Sequence, residues 1–180
     1  MVRNTQNTLN TRCWWNLAII LMGVVFVSSS SLATEQAVDV PLIQQPSGSL
    51  VVKASINGTK ESDFLLDTGS GLLVVNKKLF RAIKASGQSI EHAGRIAARM
   101  ADGRHRKMNT YRVENFRIGI CELGEIRLAV VPGADRNILG LNALAKAAPF
   151  TVSMEPPSLR LAKCSAPILE LDQALAATHP

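Results

Sequence analysis

The chain has 180 residues, 47% of them hydrophobic and 19% charged, with a formal net charge of +6. This composition excludes wholesale disorder, and the length excludes a two-lobed enzyme built from duplicated halves. It still leaves room for a core that needs no metal or disulfide staple. Residues 1–16 carry Arg3 and Arg12 and no acid, and an uninterrupted apolar run from Leu17 to Val27 follows. The segment closes on small residues, Ser31-Leu32-Ala33. A basic start, a short apolar core and a small-x-small end predict a secretory signal peptide over residues 1–33. The alternative is an uncleaved anchor using residues 14–27, although a spanning helix needs about 20 apolar residues. Either way the chain is expected to be exported, to the periplasm or outside the cell. Arg3 and Arg12 belong to the leader, so the excess of basic over acidic side chains beyond it falls to four. That weakens nucleic acid as a partner.

Beyond the leader, residues 34–48 are polar and hold Pro41, Pro46 and Gly48, the composition of a linker or extended arm. Leu50, Val52, Ala54 and Ile56 then alternate with Val51, Lys53 and Ser55, the period-two rhythm of a strand. Asn57-Gly58 supplies a tight hairpin turn. The return strand runs from Lys60 to Leu66 and ends on Asp67-Thr68-Gly69-Ser70. Leu72 to Val75 is a short apolar strand, and Asn76 is placed to cap a helix with Leu79, Phe80 and Ile83 on one face. Two longer strands, Ile90 to Met100 and Lys107 to Ile118, meet at Asp102-Gly103. Gly124 is read as turning a further hairpin between Phe116–Cys121 and Ile126–Val131. Ile138-Leu139-Gly140 closes one more strand, and Leu141 to Ala147 reads as a helix of about two turns. Phe150 to Met154 pairs with Leu159 to Ala162 across Pro156-Pro157, and Ile168 to Ala177 is weakly helical. Many short strands with regular turns and few helices predict an all-β barrel or sandwich over residues 49–164, with residues 165–180 as a tail.

Few residues suit catalysis. His92, His105 and His179 lack metal-ligand spacing, and neither HExxH nor Cys-x-x-Cys occurs, so no metal or cofactor is expected. A Gly-rich phosphate loop and a G-x-S-x-G elbow are also missing from the sequence. Phe64-Leu65-Leu66-Asp67-Thr68-Gly69-Ser70-Gly71 stands out. An apolar strand that ends on a carboxylate is costly unless the acid is hydrogen-bonded. The Thr68 and Ser70 hydroxyls and the Gly69 amide are the donors at hand. Gly69 also permits a sharp turn or a close approach by another backbone. The alternative is a plain surface turn, since Asp, Thr, Gly and Ser are all turn residues.

This segment resembles the active-site loop of the aspartic proteases, and the single-lobe length makes the chain similar to their retropepsin-like branch. A second stretch, Asn137-Ile138-Leu139-Gly140-Leu141-Asn142-Ala143-Leu144, resembles the family's apolar-apolar-Gly strand and the helix after it. Ala101-Asp102-Gly103 resembles the hairpin turn between the two motifs, with Met100 and Asp102 departing from the commoner pattern. The resemblance spans roughly Ser49 to Lys163. It implies a closed single-lobe β-barrel with one or two short helices, and an endopeptidase with Asp67 as its catalytic carboxylate. Thr68, Gly69 and Ser70 would shape the loop, and Ile138, Leu139 and Gly140 would support it. Such an enzyme needs two carboxylates that share a proton. Asp39, Asp63, Asp102, Asp135 and Asp172 are not followed by Thr-Gly or Ser-Gly. The second carboxylate is therefore expected from Asp67 of another copy across a two-fold axis, with a protein or peptide as substrate. A Ser70 hydroxyl bonded to the carboxylates would lower their pKa, so Ser70→Ala is expected to move the acidic limb of the rate profile upward.

Cys121 and Cys164 follow the leader in a compartment that permits disulfides. Sequence leaves open whether they pair or stay as buried free thiols. Arg95, Arg99, Arg104, Arg106, Lys107 and Arg112 gather about Asp102, the one acid within that stretch. If Ala101-Asp102-Gly103 is the tip of a flap over a cleft, these cations would attract acidic substrate residues or an anionic surface. The reading favoured at this point is a solvated edge hairpin whose charges block strand-to-strand aggregation. Two functional rivals stand beside the protease: a non-catalytic binding or assembly module on the same fold, and a β-domain whose turn imitates the motif.

Overall fold

The computed structural model describes residues 35–100 and 102–165. The predicted leader, the tail expected to be weakly helical and Ala101 of the expected flap lie outside these residues. The strands in chain order are β1 (Glu35–Pro41), β2 (Ile43–Gln44), β3 (Leu50–Ile56), β4 (Ser62–Leu66), β5 (Leu73–Val75), β6 (Ile90–Arg99), β7 (His105–Ile118), β8 (Cys121–Val130), β9 (Asn137–Leu139), β10 (Phe150–Met154) and β11 (Pro157–Ser165). The helices are α1 (Lys77–Ala85) and α2 (Leu141–Leu144), the latter continued by a 3-10 turn over Ala145–Ala147.

Six strands close into a barrel in the order β3, β4, β9, β5, β8, β7 and back to β3. The period-two pattern of β3 explains its place there. Val52, Ala54 and Ile56 turn inward and are buried, while Lys53 points to solvent. Asn57 and Gly58 both take positive φ (48° and 70°), and the Thr59 amide donates to the Ile56 carbonyl at 2.9 Å, which returns the chain into β4. Phe64 of β4 meets Phe116 of β7 edge-on inside the barrel, with ring centroids 6.0 Å apart. Asn76 caps α1 by accepting from the Leu79 amide at 2.8 Å, and Leu79, Phe80 and Ile83 face the core. Among the described residues no helix is long and apolar enough to cross a membrane.

Two features differ from the sequence-based expectation, and a third settles what it left open. The segment expected to be a linker contains β1 and β2. β1 pairs antiparallel with β11 (Val38 opposite Leu161, Val40 opposite Leu159), so Val40 and Leu42 are buried. Their alternation was hidden because Pro41 interrupts the segment and the apolar Ile43 is exposed beside Leu42. The hairpin expected at Gly124 turns instead at Gly119-Ile120, where Ile118 pairs with Cys121. Gly119 carries the positive φ (56°) that the tight turn requires. Gly124 sits within β8 opposite Phe116, beside an irregularity in the β7–β8 register, a bulge that bends the sheet. Finally, Cys121 of β8 and Cys164 of β11 are bonded to each other, buried, with Cα atoms 5.1 Å apart. This ties the β1–β11–β10 sheet to the barrel, which β11 also meets through the Ser165–Glu122 pairing and the shared core packing of Leu159 and Leu161.

Candidate active site

β4 and β9 run parallel, Phe64 opposite Asn137 and Leu66 opposite Leu139. β5 crosses back antiparallel to β9, with Val74 opposite Ile138. The chain between β4 and β5 must therefore reverse within a few residues at the ends of two parallel strands. Asp67 to Leu72 form that reversal. The Asp67 amide donates to the Leu139 carbonyl at 3.1 Å, and the Ser70 amide returns to the Asp67 carbonyl at 3.2 Å. Leu139 is thus bonded to the start of the loop, with Ile138 beside it in β9.

Gly140 has a specific reason to be glycine. Its φ of −96° is open to any residue, so space and not conformation decides. A Cβ there would overlap the Leu72 carbonyl oxygen, lie 2.6 Å from the Leu72 carbonyl carbon and 2.8 Å from the Ser70 carbonyl oxygen. The following amide, Leu141, donates to that Ser70 oxygen at 2.8 Å. The close backbone approach locks loop to helix.

Two asparagines complete the scaffold. Buried Asn137 accepts from the Asn76 amide and donates to the Asp63 carbonyl, both at 3.0 Å. It thereby joins β4, β9 and the start of α1. Asn142 accepts from the Leu73 amide and donates to the Arg127 carbonyl, both at 2.7 Å. Both residues stand in the stretch from Asn137 to Leu144 that resembles the family, and neither was expected to have a role. A polar amide inside an otherwise apolar strand-helix pair was the available signal, since a buried amide persists where it has partners.

The Asp67 carboxyl group is half-buried, with Thr68 and Gly69 exposed beside it. Oδ1 accepts from the Gly69 amide at 2.9 Å. Gly69 is also confined, because a Cβ on it would stand 3.1 Å from that same oxygen. The hydroxyls do not play the part expected of them. Ser70 Oγ donates to the Leu72 carbonyl at 2.9 Å and so braces the loop. Its proton is already committed, and the shift of the acidic limb expected for Ser70→Ala loses its basis. Among the described residues Thr68 makes no side-chain hydrogen bond, and Asp67 shares none with a second carboxyl group. No cluster of metal-ligating side chains occurs among the described residues either.

The β6–β7 hairpin closes as a short loop. The Met100 amide donates to Arg104 at 2.8 Å, the Gly103 amide donates to Met100 at 2.9 Å, and Gly103 holds a φ of 80°. The Asp102 carboxylate accepts from the Arg104 amide at 3.0 Å. One face of this hairpin meets the site. Ile96, Ala98, Met100 and Met108 join Leu72, Val74, Ala129, Val131, Ala134 and Ile138 in an apolar cluster separate from the barrel core. Leu72 ends the Asp67 loop and Ile138 lies in β9 behind it, so the hairpin packs against the end of that loop. The basic cluster is less uniform than its sequence suggested. Arg112 is 3.4 Å from both Glu91 and Glu125, and Arg104 is 3.8 Å from Asp102. β6 pairs with β7 alone and is an edge of the sheet, which fits the protective role of its outward charges.

A carboxylate on a rigid, glycine-dependent loop suits acid–base chemistry on a water or carbonyl. Comparison with known proteins points the same way. Residues 52–146 match the family described as "gag-polyprotein putative aspartyl protease". The fold is similar to the crystal structure of a retropepsin-like aspartic protease from Rickettsia conorii, at 17% identity and a TM-score of 0.54. That match covers 74% of this chain and 97% of the other. Among curated proteins none matches the chain.

Proposed function

The chain belongs to the retropepsin-like aspartic proteases, and we propose that it is an endopeptidase whose catalytic pair is Asp67 and the Asp67 of a second copy. One observation carries this reading. Asp67 lies on an exposed loop, held by a single amide and sharing no hydrogen bond with another carboxyl group of the described residues. A peptide bond is not hydrolysed efficiently by one such group, because the reaction needs a base and an acid together.

Two carboxylates about 3 Å apart cannot both ionise, so the pair keeps one proton. Its ionised member takes a proton from a water, and the oxygen of that water attacks the peptide carbonyl. The protonated member polarises the carbonyl and then donates to the leaving nitrogen. The proton first taken from water restores the pair. Neither a covalent enzyme intermediate nor a metal enters these steps. An extended substrate would lie beneath the β6–β7 hairpin, held by strand-like backbone pairing, with alternate side chains directed into apolar walls. The second copy supplies the other half of the cleft.

Residues 1–33 deliver this enzyme across a membrane and are then removed, or residues 14–27 stay as an anchor. Support comes from their charge and apolar pattern and from the Cys121–Cys164 bond, which persists in oxidising compartments. The pH dependence of cleavage of an unfolded protein tests the shared proton. The expected profile is bell-shaped, lost below the lower and above the upper apparent pKa of the pair. A rate that rises steadily to alkaline pH would contradict the carboxylate pair.

A further inference from the structure

Strand alternation divides the cations of the β6–β7 hairpin between two faces. The register sets Arg95 opposite Asn109, Ala97 opposite Lys107, and Arg99 opposite His105. These side chains share the exposed outer face, away from the apolar cluster. Ile96 opposite Met108 and Ala98 opposite Arg106 share the other. Ile96, Ala98 and Met108 belong to the cluster that includes Leu72 of the Asp67 loop, so Arg106 is a cation on the face that carries this cluster. Its Nη1 reaches the Pro132 carbonyl at 3.5 Å, across to the loop that follows β8. Arg104 has Asp102 beside it, whereas Arg106 has no ion pair among the described residues.

We propose that Arg106 is a specificity-determining residue that binds a substrate carboxylate next to the apolar side chain seated under the hairpin. This rests on the protease reading above and narrows its substrates to peptides carrying Glu or Asp close to an apolar residue. Arg106 is exposed, and its guanidinium has five N–H donors. One weak bond to a carbonyl leaves most of them for a ligand, and a carboxylate matches their fork geometry. Lysine or arginine at the same substrate position would meet like charge. Each copy in a dimer brings its own Arg106, so acid preference is expected on both sides of the scissile bond.

The test uses extended peptides with a central apolar pair, in which Glu, Gln or Lys is walked through three positions on either side. At the responsive positions the chain is expected to cleave the Glu peptide about fivefold faster than the Gln peptide in kcat/KM, the size a partly solvated ion pair supplies. Arg106→Gln should bring that ratio to about one, and Arg106→Glu should reverse it toward the Lys peptide. Lys107→Gln, on the outer face, should leave it unchanged. An equal ratio in wild type and Arg106→Gln would overturn the proposal, as would an equal fall in Lys107→Gln, which would reveal a general field. Binding of the same peptides to Asp67→Asn protein, followed by fluorescence anisotropy, separates the two readings. Glu-selective binding lost in the Asp67→Asn/Arg106→Gln double variant, with no cleavage by wild type, would remove the protease and keep this site. Binding that ignores the Glu-to-Gln change would remove the site.

Discussion

Replacing Asp67 by Asn is expected to lower peptide hydrolysis about ten-thousandfold or more while leaving the fold in place. The two effects separate because of what the carboxylate does in each. Structurally, Oδ1 accepts one bond from the Gly69 amide, and an Asn side-chain oxygen can accept the same bond. Chemically, an amide can neither take a proton from water nor give one to a leaving nitrogen at ordinary pH. General acid and base catalysis are each worth about 10²–10⁴, and a dimer of the variant loses both. Association is expected to survive, because two facing Asn side chains can hydrogen-bond to each other where the carboxylates shared a proton. The check is a rate measured beside thermal melting and sedimentation. Retained hydrolysis in a folded variant would assign the chemistry elsewhere.

Gly140→Ala should have the second largest effect, on the fold itself. Overpacking a core usually costs about 1–3 kcal/mol, since side chains shift to make room. Here the neighbours of the new methyl group are backbone: the Leu72 carbonyl and the Ser70 oxygen. That Ser70 oxygen also accepts from the Leu141 amide, and the Leu72 oxygen accepts from Ser70 Oγ. Moving either group breaks the bonds that define the loop. The expected cost is about 4 kcal/mol or more, the range reserved for strain that cannot relax, with loss of activity even where the chain still folds. Gly69→Ala should be milder, because the nearest atom to its Cβ is a side-chain oxygen at 3.1 Å. A Gly140→Ala protein with wild-type urea midpoint and rate would show that the loop can yield.

The site and barrel were legible wherever the residues carry a local rule. Leu50 to Ile56 alternates as a strand must, Asn57-Gly58 is a turn by its own chemistry, and Asn76 precedes an apolar face of helical spacing. Asp67 stood out because a charged group at the end of an apolar strand demands explanation. What escaped was set by partners distant in sequence. β1 is a strand because β11 offers it an edge some 120 residues later. Gly119 and Gly124 are equivalent as local signals, and only the pairing of β7 with β8 decides which one turns and which one bulges. Ser70 could have bonded the carboxylate or a neighbouring carbonyl, and the path of Leu72 selected the carbonyl. The amide bridges of Asn137 and Asn142 span more than ten residues each, some of them more than sixty. No local pattern announces such contacts. The basic hairpin shows the same limit, since strand alternation, not composition, separates Arg106 from its outward neighbours.

The central claim is that each chain holds half an active site. Co-refolding wild-type and Asp67→Asn chains at fixed total protein tests it directly. If Asp67 of both copies is required, mixed dimers are inert, and an equal mixture keeps about one quarter of the wild-type activity, falling as the square of the wild-type fraction. If each chain were complete by itself, the same mixture would keep about one half and fall linearly, and the shared site would be refuted.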